Sequence, residues 1–145
     1  EAWDLKVFGY INLTRAVYAR LKARGGGVIV NTASIGAVTP RAGVTPYNAS
    51  KGAVVTMTRG LAGEVARHNI RVNAVNPVAA ETGFMKGALG VDKLDNEAKS
   101  NIVSGIPRGR LAEPADVAAA VCFLASGDAD MITGTALNVD GGRSI

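Results

Sequence analysis

The chain has 145 residues, 48% of them hydrophobic and 19% charged, with 18 glycines, one cysteine and a net charge of +4. This is the profile of one soluble α/β domain rich in tight strand–helix turns. No apolar run approaches the ~20 residues that span a bilayer, so no membrane segment is expected. The Lys and Arg residues are scattered without a block of like charge, which argues against nucleic acid while leaving room for an anionic cofactor.

The lone Cys122 cannot form an internal disulfide, which fits a reducing, cytoplasmic compartment. Its place in the apolar run AAAVCFLA reads as a small buried residue in preference to a reactive nucleophile. The chain opens at Glu1 directly on a helical pattern, with no targeting segment before it. It is expected to be a cut through a longer protein.

Trp3 to about Arg24 reads as a helix, with Leu5, Phe8, Ile11 (or Asn12) and Ala16 at three- and four-residue steps and Gly25-Gly26-Gly27 as its stop. Val28-Ile29-Val30 is a short β-branched run of the kind covered on both faces in a parallel sheet. A Gly-, Pro- and Thr-rich loop from Ser34 to about Thr45 leads to a long helix from Pro46 to Arg67, with Asn69 as a left-handed stop. Ile70 to Val75 is a second strand, running into Asn76-Pro77. Irregular chain follows to Gly109, with short helices expected at Phe84–Leu89 and Leu94–Val103. Pro114–Ser126 reads as a helix with Asp116 in its first turn, where the helix dipole favours negative charge. Thr135–Val139 is a third strand, closed by Asp140-Gly141-Gly142. Strands alternating with helices imply parallel βαβ units with right-handed crossovers.

Tyr47 and Lys51, in YNASK, stand four apart on one face of the long helix. An ammonium beside a phenol favours the phenolate, and a tyrosine so poised can exchange a proton with a carbonyl or alcohol oxygen. The bare pair also fits a surface lysine above a half-buried tyrosine. Ser34 falls just past the C-terminal end of the first strand, where open α/β sheets place ligands, and its hydroxyl can donate to a substrate oxygen. Nucleophilic serine chemistry is disfavoured: there is no G-x-S-x-G, and the only histidine, His68, lies at the far end of the Tyr47 helix.

GGGVIVNTASIGA, YNASKGAVVTMTRGLAGEVARHNIRVNAVNP, GRLAEPADVAAAVCFLAS and ITGTALNVDGG cover nearly the whole chain. Their sequence resembles the short-chain dehydrogenase/reductases, with Ser34 and Tyr47 thirteen apart as in that family. The resemblance implies a Rossmann-like, doubly wound parallel sheet, of which residues 1–145 would be the C-terminal catalytic part of a single domain, about three strands with flanking helices. It implies an NAD(P)-dependent oxidoreductase moving a hydride between nicotinamide and a small carbonyl/alcohol substrate. Tyr47 would be the general acid/base, Lys51 would assist it and hold the nicotinamide ribose, and Ser34 would orient the substrate oxygen. Asn76-Pro77 would begin the loop lining the nicotinamide pocket, Thr82 would bind the carboxamide, and the segment from about Ala80 to Gly105 would form a substrate lid. No metal ligand is assigned. A homo-oligomer, dimer or tetramer, is implied as well.

The chain departs from that pattern in three places. Lys6 stands where the family carries an Asn, and reads as a solvated or structural lysine in preference to a relay group. Val78 follows Asn76-Pro77 where a Gly is usual. No Gly-rich pyrophosphate turn follows a strand, so the N-terminal dinucleotide-binding half is expected to be absent and the first strand to be left as an open edge. The alternative reading is an inactive truncated piece with only a structural or oligomerising role.

Overall fold

A computed structural model describes residues 3–80, 82 and 94–145. The chain starts with a π-helical turn, Asp4–Phe8, that runs without a break into α1, Gly9–Ala23. There follow β1 (Gly27–Thr32), a 3-10 turn (Ile35–Ala37), α2 (Thr45–Val65), a 3-10 turn (Ala66–His68) and β2 (Ile70–Pro77). After the undescribed stretch come α3 (Asn96–Val103), α4 (Pro114–Ala125), a 3-10 turn (Gly127–Ala129) and β3 (Ala136–Val139). The helix expected at Phe84–Leu89 lies outside the described residues.

The strands form one parallel sheet in the order β1-β2-β3, with Gly27 opposite Ile70 and Ala74 opposite Ala136. This is part of a Rossmann-like sheet, and among the described residues nothing pairs with the outer edge of β1. Alternation along β2 gives each face its own helix. Ile70, Val72 and Ala74 turn toward α2 and pack with Val54, Val55, Ala62 and Val65. Arg71 turns the other way and donates to the Leu124 and Ser126 carbonyls at 2.7 and 2.8 Å, so a guanidinium satisfies carbonyls that the end of α4 leaves without helical partners. A third cluster, Val78, Ile106, Leu111 and Ala112, joins the loop after β2 to α3 through Ile102 and Val103.

Local chemistry explains most boundaries. Pro46 occupies the first turn of α2, where a missing N–H leaves no bond unmade. Asn69 takes the left-handed conformation at φ 56°, as the sequence predicts, and its amide donates to the Gly25 carbonyl at 3.2 Å. The Asp95 carboxylate accepts from the Ala98 amide and caps α3.

Two expectations are corrected. The stripe Leu5, Phe8 and Ile11 does not face the core: Leu5 and Phe8 are 72% and 55% exposed. The side of α1 that meets the sheet instead carries Tyr10, Tyr18 and Leu21. At about 100° per residue Leu5 and Phe8 lie on the side of the helix away from Tyr10. Cys122 is exposed and not buried, because α4 commits Leu124 to the sheet and a neighbour two positions away lies on the opposite side.

Candidate active site

The site lies at the C-terminal end of β1, where α2 begins. Lys51, one turn into α2 from Tyr47, is only 7% exposed. Its ammonium donates to the Thr32 carbonyl, the last of β1, at 2.7 Å. The same oxygen accepts from the Tyr10 hydroxyl at 2.8 Å. A carbonyl oxygen has two lone pairs, and here an ammonium and a phenol from different helices each take one. Lys51 also lies 5.8 Å from the centre of the Tyr10 ring.

Burial, followed by the positive charge of Lys6, pulls the Lys51 ammonium down to about 8 from its usual value. Burial pushes the Tyr10 phenol up. Lys6 itself stands 5.7 Å from the centre of the Tyr47 ring, within the range of a cation–π contact.

Ser34 adopts extended backbone, and its hydroxyl accepts from the Gly36 amide at 3.2 Å while capping the short turn Ile35–Ala37. The residue before it continues the sheet, with the Ala33 amide donating to the Val75 carbonyl at 2.9 Å. The loop that joins this turn to α2 is tied down by Asn48, a buried side chain that donates to the Arg41 carbonyl at 2.8 Å. A Cβ on Gly36 would stand 2.6 Å from Asn48 Oδ1 and 3.6 Å from Ser34 Oγ. Only glycine leaves room for this contact between the Ser34 turn and the residue next to Tyr47. Ser34, Tyr47 and Lys51 are thereby carried on adjoining segments at one end of the sheet.

Asn76 is fully buried, and its amide donates to Asn138 Oδ1 across β2 and β3 at 2.9 Å, while its own Oδ1 has no hydrogen-bond partner. Pro77 ends β2, and the Val78 amide donates to the Val139 carbonyl. The Val78 side chain is taken up by the third apolar cluster. Thr82 lies in a bend and is partly buried, and residues 81 and 83–93 of the expected lid lie outside the described residues. Sequence reading does not single out Tyr10, Asn48 or Gly36. The signal present for Tyr10 is its spacing: Lys6 and Tyr10 are four apart, as are Tyr47 and Lys51.

The nicotinamide end of a dinucleotide suits this donor set. The Lys51 ammonium has N–H groups beyond the one given to Thr32, and they can meet ribose hydroxyls. A pyrophosphate is not matched in the same way. The glycine pair after β3, Gly141-Gly142, is already occupied by the Asp140 carboxylate, which accepts from the Gly142 and Ser144 amides at 3.0 and 2.9 Å. No helix among the described residues is long and apolar enough to cross a membrane.

Residues 1–144 match the family model described as Enoyl-(Acyl carrier protein) reductase. The chain is 49% identical over 123 residues to 4-formylbenzenesulfonate dehydrogenase of Comamonas testosteroni, covering 84% of this chain and 48% of that protein. It is 37% identical to the 3-oxoacyl-[acyl-carrier-protein] reductase of Thermotoga maritima, covering 100% of this chain and 58% of that one. Among solved structures, the 3-ketoacyl-(acyl-carrier-protein) reductase of Brucella melitensis complexed with NADH superposes with a TM-score of 0.87 at 44% identity, covering 97% of this chain and 55% of that one. A gluconate 5-dehydrogenase of Burkholderia cenocepacia in complex with NADP and tartrate gives 0.90 at 31% identity, with 98% and 54% covered. The chain thus spans about half the length of the relatives it matches. By this match along its length, the chain belongs to the short-chain dehydrogenase/reductase family.

Proposed function

We propose that this chain supplies the catalytic half of an NAD(P)-dependent oxidoreductase acting on a small carbonyl/alcohol pair. The observation that carries the reading is the buried Lys51 ammonium, held on the last carbonyl of β1 one helical turn from Tyr47. Burying a charge is unfavourable unless it is paired or used, and here a single backbone dipole and a tyrosine ring accompany it. In the reducing direction the Tyr47 hydroxyl gives its proton to the substrate oxygen as negative charge develops there. Ser34 donates a hydrogen bond to the same oxygen. The Lys51 charge stabilises the phenolate left on Tyr47. A bound nicotinamide supplies or accepts the hydride, with Lys51, the Asn76-Pro77 segment and Thr82 holding it.

Replacing Tyr47 by Phe in the polypeptide that joins this chain to a dinucleotide-binding half tests the assignment. Carbonyl reduction should fall at least about a hundredfold; a Phe variant with near-full activity removes Tyr47 from this role. The 145 residues alone should bind no dinucleotide, since no pyrophosphate cradle is found among the described ones. Micromolar binding of NADH or NADPH in a titration of the purified chain would overturn that.

A further inference from the structure

Two lysine–tyrosine pairs cross between the first helical segment and α2. Lys6, in the π-turn, covers the ring of Tyr47 on α2 at 5.7 Å, and Lys51 on α2 covers the ring of Tyr10 on α1 at 5.8 Å. Each segment therefore contributes one cation and one ring, four residues apart, and the Thr32 carbonyl anchors the far corner through both Tyr10 and Lys51. An ammonium over a ring face attracts the ring and holds its plane. Two ammonium groups drawn to one small cluster also repel each other.

We propose that Lys6 is a positioning residue of the Tyr47–Lys51 pair, holding the Tyr47 ring under its ammonium and bringing a second positive charge to the cluster that holds Lys51. This rests on the reading that Tyr47 and Lys51 serve proton transfer. The charged and titratable groups that act on Lys51 are Lys6 and Tyr10 from the first helical segment, and Tyr47, one turn away on its own helix, acts on Tyr10. From β1 the Thr32 carbonyl meets it. Lys6 is the one charged side chain that shifts Lys51 among the described residues, in the direction of easier proton loss. Removing the Lys6 charge while keeping its length should let Lys51 stay protonated to higher pH.

The test compares Lys6→Met, Lys6→Gln and Lys6→Arg. Lysine labelled with 13C at Cε allows Lys51 to be titrated directly by NMR, its signal assigned by its loss in Lys51→Met. Both neutral variants should move the Lys51 midpoint upward by about half a pH unit or more, and Lys6→Arg should return it to the wild-type position. In the complete enzyme the alkaline fall of kcat should move the same way. Each neutral variant should also lose about two- to fivefold in kcat with KM less affected, as expected for a lost cation–ring contact. Midpoints unchanged in both neutral variants would overturn the proposal and leave Lys6 a surface lysine. The NMR result decides this without any turnover. A wild-type enzyme without hydride transfer, or a fully active Tyr47→Phe variant, would instead sink the reading on which the proposal rests.

Discussion

Gly36→Ala tests how Ser34 is held against the start of α2. The added methyl would lie 2.6 Å from Asn48 Oδ1, well inside the ordinary contact distance between carbon and oxygen, and the Asn48 side chain is buried with its amide bonded to the Arg41 carbonyl. Relief requires Asn48 to rotate away, which leaves a buried donor and an acceptor without each other at about 1–3 kcal/mol, or a backbone shift of the 3-10 turn at a similar 1–3 kcal/mol. The upper end of that range, about 3 kcal/mol, corresponds to about 10 °C in Tm for a chain of this size. Because the turn begins at Ser34, turnover should fall more steeply than the folded fraction. Thermal unfolding and initial rates on Gly36→Ala, Asn48→Ala and the double variant separate the causes. Asn48→Ala removes the clashing atoms, so Gly36→Ala should be much milder in that background. If Gly36→Ala has the wild-type Tm, or loses equally in both backgrounds, the proposed clamp is wrong.

With Lys51 holding its proton only up to about 8, activity that depends on its charge should decline as the pH rises through that value. Stability from the same group should move the opposite way: between about 8 and 10.5 the unfolded lysine retains a proton that the folded one has released, so the folded state gains as the pH climbs. Rate profiles and urea midpoints measured from pH 7 to 10 check both signs, and a parallel loss of stability and activity would contradict the assignment to Lys51. Asn69→Val places a β-branched residue at φ 56° and removes the bond to the Gly25 carbonyl, an expected loss of about 2–3 kcal/mol. Asn69→Gly should lose far less, and equal losses in the two variants would show that the left-handed turn is not what matters there.

The elements that can be read from the chain are those whose signals are local. The β-branched run Val28-Ile29-Val30 lies in β1, Pro46 opens α2, and Asn69 supplies the left-handed stop. Each acts through its own backbone preference, so a neighbourhood of a few residues suffices. The boundary of β2 is less legible. Asn76-Pro77 looks like a break, yet the ladder to β3 continues through Pro77 opposite Val139. Burial on a helix is harder still, because it depends on which side the rest of the molecule covers. Leu5 and Phe8 have the right spacing for a core stripe and are exposed, while Tyr10 and Tyr18 face the sheet with polar groups that need partners.

The proposed trio is legible because Ser34, Tyr47 and Lys51 stand at the spacings of the family the sequence resembles, beside clear strand and helix signals. The surrounding cluster is not, because it forms between segments far apart in the chain. Tyr10 reaches the Thr32 carbonyl that Lys51 also meets, and the face of the first helical segment that carries Lys6 and Tyr10 meets the face of α2 that carries Tyr47 and Lys51. Spacing within either segment is local, but which face each turns inward is set by the sheet they pack on. A wheel of about 100° per residue puts Leu5 and Phe8 roughly 140° and 160° from Tyr10. The exposure of Leu5 and Phe8 and the placement of Lys6 against Tyr47 thus share a single cause: the side of this segment that faces inward is the one that carries Tyr10, not the apolar stripe.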